Sequence, residues 1–148
     1  MADLRERMDE DLRQAMRARD ERRLSVLRLI RAGIKNAEVA AGKGLDEPGV
    51  AGVVSKEVKE RRDSLEEFRK AGRDDLVAKE EAELAILLEY QPEQLSREQV
   101  AALVRETVAQ TGASGAKDKG KVMSALMPRL RGKADVRMVN EVVTELLG

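Results

Sequence analysis

The chain has 148 residues, of which 42% are hydrophobic and 38% are charged, so it can bury a core beneath a charged surface. Its 28 basic and 28 acidic side chains balance, which gives the whole molecule no preference for nucleic acid or for basic partners. Cysteine and histidine are absent, and this excludes thiol nucleophiles, disulfides, imidazole bases and the commonest zinc ligands. We therefore expect no catalytic residue, no metal and no cofactor.

Two further features of the composition bear on location and partners. No segment has the apolar h-region of a signal peptide, and no run approaches the roughly 20 apolar residues of a membrane-spanning helix. We therefore expect a cytoplasmic protein that does not interact with membranes. One Phe and one Tyr are too few for extensive stacking on single-stranded bases.

The first half of the chain shows helical periodicity. Apolar residues between positions 4 and 37 recur every three or four residues and predict two helices, the second ending at the glycines of residues 41–44. Asp46 followed by Pro48 is typical of an N-cap and first turn, so a long third helix is predicted to start there. Gly72 is expected to end it.

A fourth helix is predicted from about Asp74 to the Gln91-Pro92 pair, because a proline disfavours helical geometry in the residue before it. Beyond this point, Ser96 with Gln99 three residues later forms a capping-box pattern that opens a fifth helix. Pro128 is expected to end or kink a sixth helix near Met127.

Asp135 is expected to cap a last helix, which completes three short helices after the Gln91-Pro92 pair. No segment shows the sustained alternation of a half-buried strand. The sequence thus predicts an all-α fold. An N-terminal domain of about four helices spans residues 1–94, and a C-terminal three-helix domain spans residues 95–148.

Charge is distributed unevenly between these domains. Residues 95–148 contain nine Lys and Arg against six Asp and Glu, a net charge of +3, whereas residues 1–94 carry −3. Most of the excess lies within residues 112–137, in Lys117, Lys119, Lys121, Arg129, Arg131, Lys133 and Arg137. Nearby glycines would let a phosphate backbone approach closely. An ordinary solvated surface explains the same residues and is the simpler interpretation of composition alone.

A second basic stretch lies in the predicted first and second helices. It could form another RNA-facing surface, or it could pair with carboxylates of the third and fourth helices or stay solvated, and we favour the second interpretation. Its members are Arg13, Arg17, Arg19, Arg22, Arg23, Arg28, Arg31 and Lys35.

Two patterns that suggest chemistry are incomplete. Glu57, Glu60, Glu80 and Glu83 resemble the carboxylates of a helical-bundle metal site, but the histidine partners do not exist. Residues 115–121 have phosphate-loop spacing, yet Val122 replaces the Ser or Thr that holds magnesium and no strand precedes the loop.

Arg61 lies on the apolar line of the third helix. It could reach a carboxylate such as Glu80 or Glu81 on an antiparallel fourth helix, or it could extend its guanidinium to solvent. We favour the solvent-directed arrangement.

Three segments resemble the YqeY family: residues 22–30 (RRLSVLRLI), residues 68–76 (FRKAGRDDL) and residues 120–135 (GKVMSALMPRLRGKAD). The resemblance extends over nearly the whole chain, although Gln91 stands where an apolar residue is expected. From about Leu95 the chain also resembles the tail domain of the B subunit of the tRNA-dependent amidotransferase. In that enzyme, the tail domain helps to hold tRNA.

The tail-domain resemblance implies a tRNA-contacting surface in the C-terminal domain. With the neighbouring cations, the candidate residues are Lys117, Lys119, Gly120, Lys121, Arg129, Arg131, Gly132 and Lys133. The resemblance implies no chemistry, because the amidotransferase reactions reside in other domains and subunits.

Three functional hypotheses follow. The first is a non-catalytic accessory protein that recognises the phosphates and shape of tRNA. A tRNA-modifying or aminoacylation enzyme would be its protein partner. The second is a protein–protein adaptor. The third is a component of a carbon–nitrogen ligase that uses glutamine as amide donor, with the active site supplied by a partner.

Overall fold

The computed structural model describes residues 3–148, and this part of the chain contains helices and no strand, which confirms the all-α prediction. A short 3-10 turn at Ala116–Asp118 precedes the sixth helix. Between residues 3 and 148, no helix combines the length and the apolar character needed to cross a bilayer. The α-helices are α1 (Leu4–Ala18), α2 (Glu21–Ala41), α3 (Glu47–Lys70), α4 (Asp74–Leu88), α5 (Arg97–Thr111), α6 (Lys119–Leu130) and α7 (Val136–Leu147).

The chain divides into two compact units, Met1–Gln91 with helices α1 to α4 and Pro92–Gly148 with helices α5 to α7. The sequence places the division three residues later, after residue 94. Each unit buries an apolar cluster of its own. Each unit therefore has the separate core expected of a folding unit.

The start of α3 follows the prediction. Asp46 is the N-cap, and its carboxylate accepts a hydrogen bond from the Gly49 N–H at 2.8 Å, which satisfies one of the free amides of the first turn. Pro48 lies in that turn. Before it, Gly42 ends α2 with φ of +72°, a left-handed conformation that glycine adopts without steric cost.

The end of α4 differs from the prediction. The helix ends at Leu88, three residues before the expected close at Gln91, and the Tyr90 N–H bonds to the Leu87 carbonyl in a tight turn. The turn directs the Tyr90 side chain into the core of the first unit, where it is only 1% exposed. Burial of this aromatic ring therefore accompanies the early end of the helix.

The core of the first unit is assembled mainly from α2 and α3. Helical spacing places apolar residues of α2 opposite valines of α3, and α1 covers one side with Leu4 and Met8. The central buried side chains are Val26, Leu27, Ile30 and Ile34 of α2 and Val50, Val54 and Val58 of α3.

The second unit begins with the predicted capping box. The Ser96 hydroxyl accepts from the Gln99 N–H, and the Gln99 side chain accepts from the Ser96 N–H. Each of the three helices contributes valine or leucine residues to a shared core, and α6 contributes Val122, Leu126 and Leu130.

Of the two outcomes predicted for Pro128, an end of α6 near Met127 does not occur. The helix continues to Leu130, which is fully buried, and the Arg131 N–H bonds to the Met127 carbonyl at 2.9 Å. Pro128 itself is exposed. Burial of Leu130 is worth about 1.5–3 kcal/mol and compensates for the backbone hydrogen bond that proline cannot make.

Candidate nucleic-acid interface

The predicted RNA-contacting residues lie at the two ends of α6. Lys117 is in the 3-10 turn, and Lys119, Gly120 and Lys121 form the first turn of the helix. Residues 129–133 form its last turn and the connection to α7. At about 1.5 Å per residue, the 12-residue helix separates the two groups by roughly 18 Å. The structure therefore separates the predicted patch into two cationic groups, one at each end of α6.

The packing of α6 determines which of these side chains reach solvent. Val122, Leu126 and Leu130 form the buried stripe, so Lys121 points to the opposite side and is exposed. Arg129 is also exposed, and at about 100° per residue it lies roughly 80° around the helix from Lys121. Lys119 is half-buried at the start of the helix.

One of the six predicted cations is already paired. The Arg129 guanidinium lies 3.6 Å from the Glu106 carboxylate of α5, and both side chains are close to half exposed. An exposed pair of this kind contributes about 0–1 kcal/mol. Within the part of the chain that the structure describes, the other five form no ion pair: Lys117, Lys119, Lys121, Arg131 and Lys133.

The two glycines of the candidate site have different environments. Gly120 is exposed, and a Cβ atom added there would have no neighbour within 4 Å, so its backbone is open to a ligand. Gly132 is buried, with φ of +79°, and its carbonyl accepts a hydrogen bond from the Gln94 side chain at 2.8 Å. The structure thus uses Gly132 inside the fold rather than on its surface.

The turn that carries Arg131 and Lys133 is fixed by contacts that the sequence did not indicate. The Lys133 carbonyl accepts from the Leu95 N–H at 2.8 Å, next to the Gln94–Gly132 hydrogen bond. These two bonds join the segment before α5 to the turn after α6. They hold the backbone from which both cationic side chains extend.

The second basic stretch is partly neutralised. Arg13 and Arg17 both pair with Glu10 of α1, and Arg23 pairs with Glu89, just after α4. Arg28, Arg31 and Lys35 are exposed on α2 and form no ion pair with any described residue. The pair of Arg23 and the solvated side chains of α2 agree with the interpretation favoured from the sequence, whereas Arg13 and Arg17 pair within α1 and not with α3 or α4.

The carboxylates of α3 and α4 are arranged around Arg61. Its guanidinium donates to Glu80 at 2.7 Å and also to Glu83, so the preferred solvent-directed arrangement is wrong and the pairing alternative is correct for Glu80. Burial, followed by the charge of Glu60, raises the pKa of Glu57. No group of carboxylates within residues 3–148 is arranged to hold a metal ion.

The segment with phosphate-loop spacing forms no phosphate loop. Its central residues form the 3-10 turn, which leads directly into α6, and Asp118 accepts from the Ser114 N–H at 2.9 Å instead of capping the helix. A phosphate loop connects a strand to a helix, and residues 3–148 contain no strand.

The model of one protein family, described as Yqey-like protein, matches residues 5–147 and therefore covers both units. The chain belongs to this family. The match confirms the resemblance carried by residues 22–30, 68–76 and 120–135.

Three relatives share the name altered inheritance of mitochondria protein 41, mitochondrial. The protein from Pyrenophora tritici-repentis is 32% identical over 145 residues, which span 96% of this chain and 80% of the relative. The one from Lachancea thermotolerans is 44% identical over 84 residues, or 56% of this chain and 45% of the relative. The one from Saccharomyces cerevisiae strain YJM789 is 43% identical over 81 residues, or 54% and 44%.

The two yeast matches thus span less than half the length of those relatives. Neither the name of the Yqey-like family nor that of these relatives denotes an enzyme.

The same names correct the expected location. The sequence predicts a cytoplasmic protein, whereas the relatives are named mitochondrial proteins, including the one that matches 96% of the chain. The prediction of a cytoplasmic location is therefore wrong. That prediction depended on finding no apolar h-region. An apolar h-region is a feature of secretory signals, so its absence says nothing about import into an organelle.

Proposed function

We propose that this member of the Yqey-like family is a non-catalytic accessory protein that holds folded tRNA through phosphate contacts of its second unit. The observation that carries the proposal is the set of unpaired cations at the two ends of α6. Cations that no carboxylate neutralises can exchange their counterions for phosphates, which supplies most of the binding energy for nucleic acid.

The separation of the two cationic groups supports recognition of a folded RNA. Lys121 at one end and Lys133 beyond the other are held by a helix and by a hydrogen-bonded turn, so their spacing is nearly fixed. A fixed spacing selects phosphates at a particular distance, which a folded RNA presents constantly and a flexible strand does not. Few aromatic residues are available for stacking, in agreement with recognition by backbone and shape.

Binding of tRNA would be measured over a range of salt concentrations with the full chain and with the double variant Lys121→Glu, Lys133→Glu. The logarithm of affinity should fall linearly with the logarithm of salt concentration, at about 0.7–0.9 per phosphate contact, and the variant should lose about two contacts from this slope. Different folded tRNAs should be affected about equally because phosphate contacts carry no base information.

Lys43→Glu with Lys56→Glu is the matched control, since it makes the same change in net charge at two exposed, unpaired lysines of the first unit. It should leave the slope close to that of the parent. If the Lys121 and Lys133 variant binds tRNA as tightly as the parent at low salt, the two groups are an ordinary solvated surface and the adaptor function is favoured instead.

A further inference from the structure

A groove of about 510 Å³ runs between α1 and α2 in the first unit, remote in sequence from the cations of α6. Met8 and Leu12 of α1 form one side of its floor, and Leu27 and Ile34 of α2 form the other. Its volume lies within the range of about 300–1,000 Å³ that is typical of ligand-binding clefts. Leu12 is half-buried and the other three belong to the core, with 3% to 7% of their surface exposed, so the floor is a narrow apolar strip against which an occupant can pack.

The rim of the groove on the α2 side is positively charged. Arg28, Arg31 and Lys35 line it, and all three are exposed without an ion-pair partner among the described residues. At about 1.5 Å per residue, the line from Arg28 to Lys35 extends roughly 10 Å, or about two helical turns. Because residues 1–94 carry a net charge of −3, this row of cations is a local exception in an acidic part of the chain.

The carboxylates of the groove do not cancel this charge. Glu38 is occupied by Arg5 at 3.1 Å and by the Leu45 N–H at 2.8 Å, which leaves Asp9 as the carboxylate facing the three cations across the groove. The lining as a whole therefore carries a net charge of +2. An occupant must bring negative charge to the α2 rim and apolar groups to the floor.

We propose that this groove binds an acidic amphipathic helix of a partner protein. Apolar side chains at positions i, i+3 or i+4, and i+7 would pack on Met8, Leu12 and Ile34, while flanking carboxylates would meet the cations of α2. The spacing of residues 28, 31 and 35 is itself that of neighbouring positions on one helix face, so it matches carboxylates placed one turn apart on a parallel or antiparallel helix.

Charge complementarity and the apolar floor together favour a protein over RNA. A phosphate backbone gains nothing from an apolar floor and is repelled by Asp9, whereas an amphipathic helix uses both parts of the groove. The proposal goes beyond tRNA binding and does not depend on it.

The test uses the full chain and a panel of synthetic helical peptides. Each peptide carries Leu at positions i, i+3, i+4 and i+7 of one helix face, and the panel shifts the flanking Glu residues around the helix one position at a time. Methyl NMR signals of Met8 and Ile34 report occupancy of the groove, and Ile86 of α4, which does not line it, is the internal reference. A peptide of the same composition in scrambled order tests the need for amphipathicity.

At least one member of the panel should shift the Met8 and Ile34 signals with a dissociation constant below about 1 mM, while Ile86 stays unchanged. A triple variant, with Arg28→Glu, Arg31→Glu and Lys35→Glu in one chain, should bind the peptide about tenfold more weakly or worse. A peptide in which Lys replaces Glu should bind this triple variant with the affinity restored. The control Lys43→Glu, Lys56→Glu, Lys59→Glu has the same net charge and should change binding less than about twofold.

The proposal is overturned if no member of the panel binds, if the scrambled peptide binds equally well, or if the charge exchange fails to restore binding. It is also overturned if tRNA, and no peptide, shifts the Met8 and Ile34 signals, since the groove would then be an RNA surface. Thermal unfolding tests whether both triple variants fold. Failure of the groove variant to fold would mean that its cations stabilise the unit rather than bind a partner.

Discussion

The Tyr90 hydroxyl donates a hydrogen bond to the Asp11 carboxylate at 2.7 Å, and thereby links the turn after α4 to the middle of α1. The same oxygen accepts from Arg23 at 3.2 Å, and the Arg7 guanidinium lies 4.8 Å from the ring centre. Tyr90 is thus held by residues of α1 and α2. Any charge on its oxygen would be buried beside a carboxylate.

This environment predicts a pH dependence. Burial, and then the hydrogen bond to Asp11, raise the pKa of Tyr90 to about 12 from an ordinary value of 10.0. Between these values the unfolded chain has lost the phenol proton and the native chain has kept it, so the free energy of unfolding should fall as the pH rises from about 10 to about 12. Below pH 10 this contribution is fully present.

Ultraviolet absorbance of tyrosinate measures this titration directly, because the chain contains one Tyr and no Trp. Asp11→Asn should move the transition towards the ordinary value by removing the neighbouring negative charge. A native protein that titrates at the ordinary value would show that the hydroxyl is solvated.

A second prediction concerns Arg61, which is held between Glu80 and Glu83 with only 15% of its side chain exposed. Arg61→Met should lower the free energy of unfolding by about 2–4 kcal/mol, because it leaves the buried Glu83 carboxylate without a counter-charge. Adding Glu83→Gln should recover part of the loss. Denaturant unfolding measures both, and a single variant as stable as the parent would mean that Arg61 serves only as a solvated side chain.

Which parts of this fold could be predicted is clear from the helix boundaries. Asp46 and the Ser96 capping box were predicted correctly because a cap depends on residues within one turn of each other. Local spacing allows the pairing of Arg61 with Glu80 but does not favour it, since this pairing depends on how α3 and α4 align. Helical periodicity identifies a buried face but does not give its register against the neighbouring helix.

The candidate interface shows the same limit. Its cations were visible as a local excess of charge, but their separation into two groups follows from the helix between them. The hydrogen bonds from Gln94 to Gly132 and from Leu95 to Lys133 join residues nearly 40 positions apart. No local sequence pattern predicts such a contact. Gly132 therefore looked like a surface glycine, although its backbone is buried.

A third prediction follows from the division into two units, each with a separate apolar core. The fragment of residues 1–91 should unfold cooperatively alone, because its four helices enclose a contiguous core. The fragment of residues 92–148 should be less stable, since a chain of this length buries only about 60% of its unfolded surface. Circular dichroism melts of both fragments test this, and cooperative melting of the full chain alone would show that neither unit is independent.

A fourth prediction concerns activity. The purified chain should not hydrolyse glutamine, because it has no Cys to form a thiolate and no His to activate a hydroxyl. Ammonia release would be compared with that of a heat-killed sample of the same preparation. Turnover clearly above this background would contradict the proposed non-catalytic role.

The last prediction concerns Pro128, which lies on the exposed side of α6 while the helix continues past it to the buried Leu130. Proline has no N–H to donate to the Ser124 carbonyl, and its ring crowds that group, so the helix is retained at a cost that packing of Leu130 offsets. Pro128→Ala should therefore raise the free energy of unfolding by about 1–3 kcal/mol.

Ala125→Ser, at an exposed position of the same helix, is a control that should change stability by about 0.5 kcal/mol or less. If the proline also shapes the end of α6 that we propose binds tRNA, the stabilised variant should bind tRNA more weakly at every salt concentration with an unchanged slope, because the spacing and not the number of cations would change. Loss of stability in Pro128→Ala would show instead that the proline helps to place Leu130 in the core.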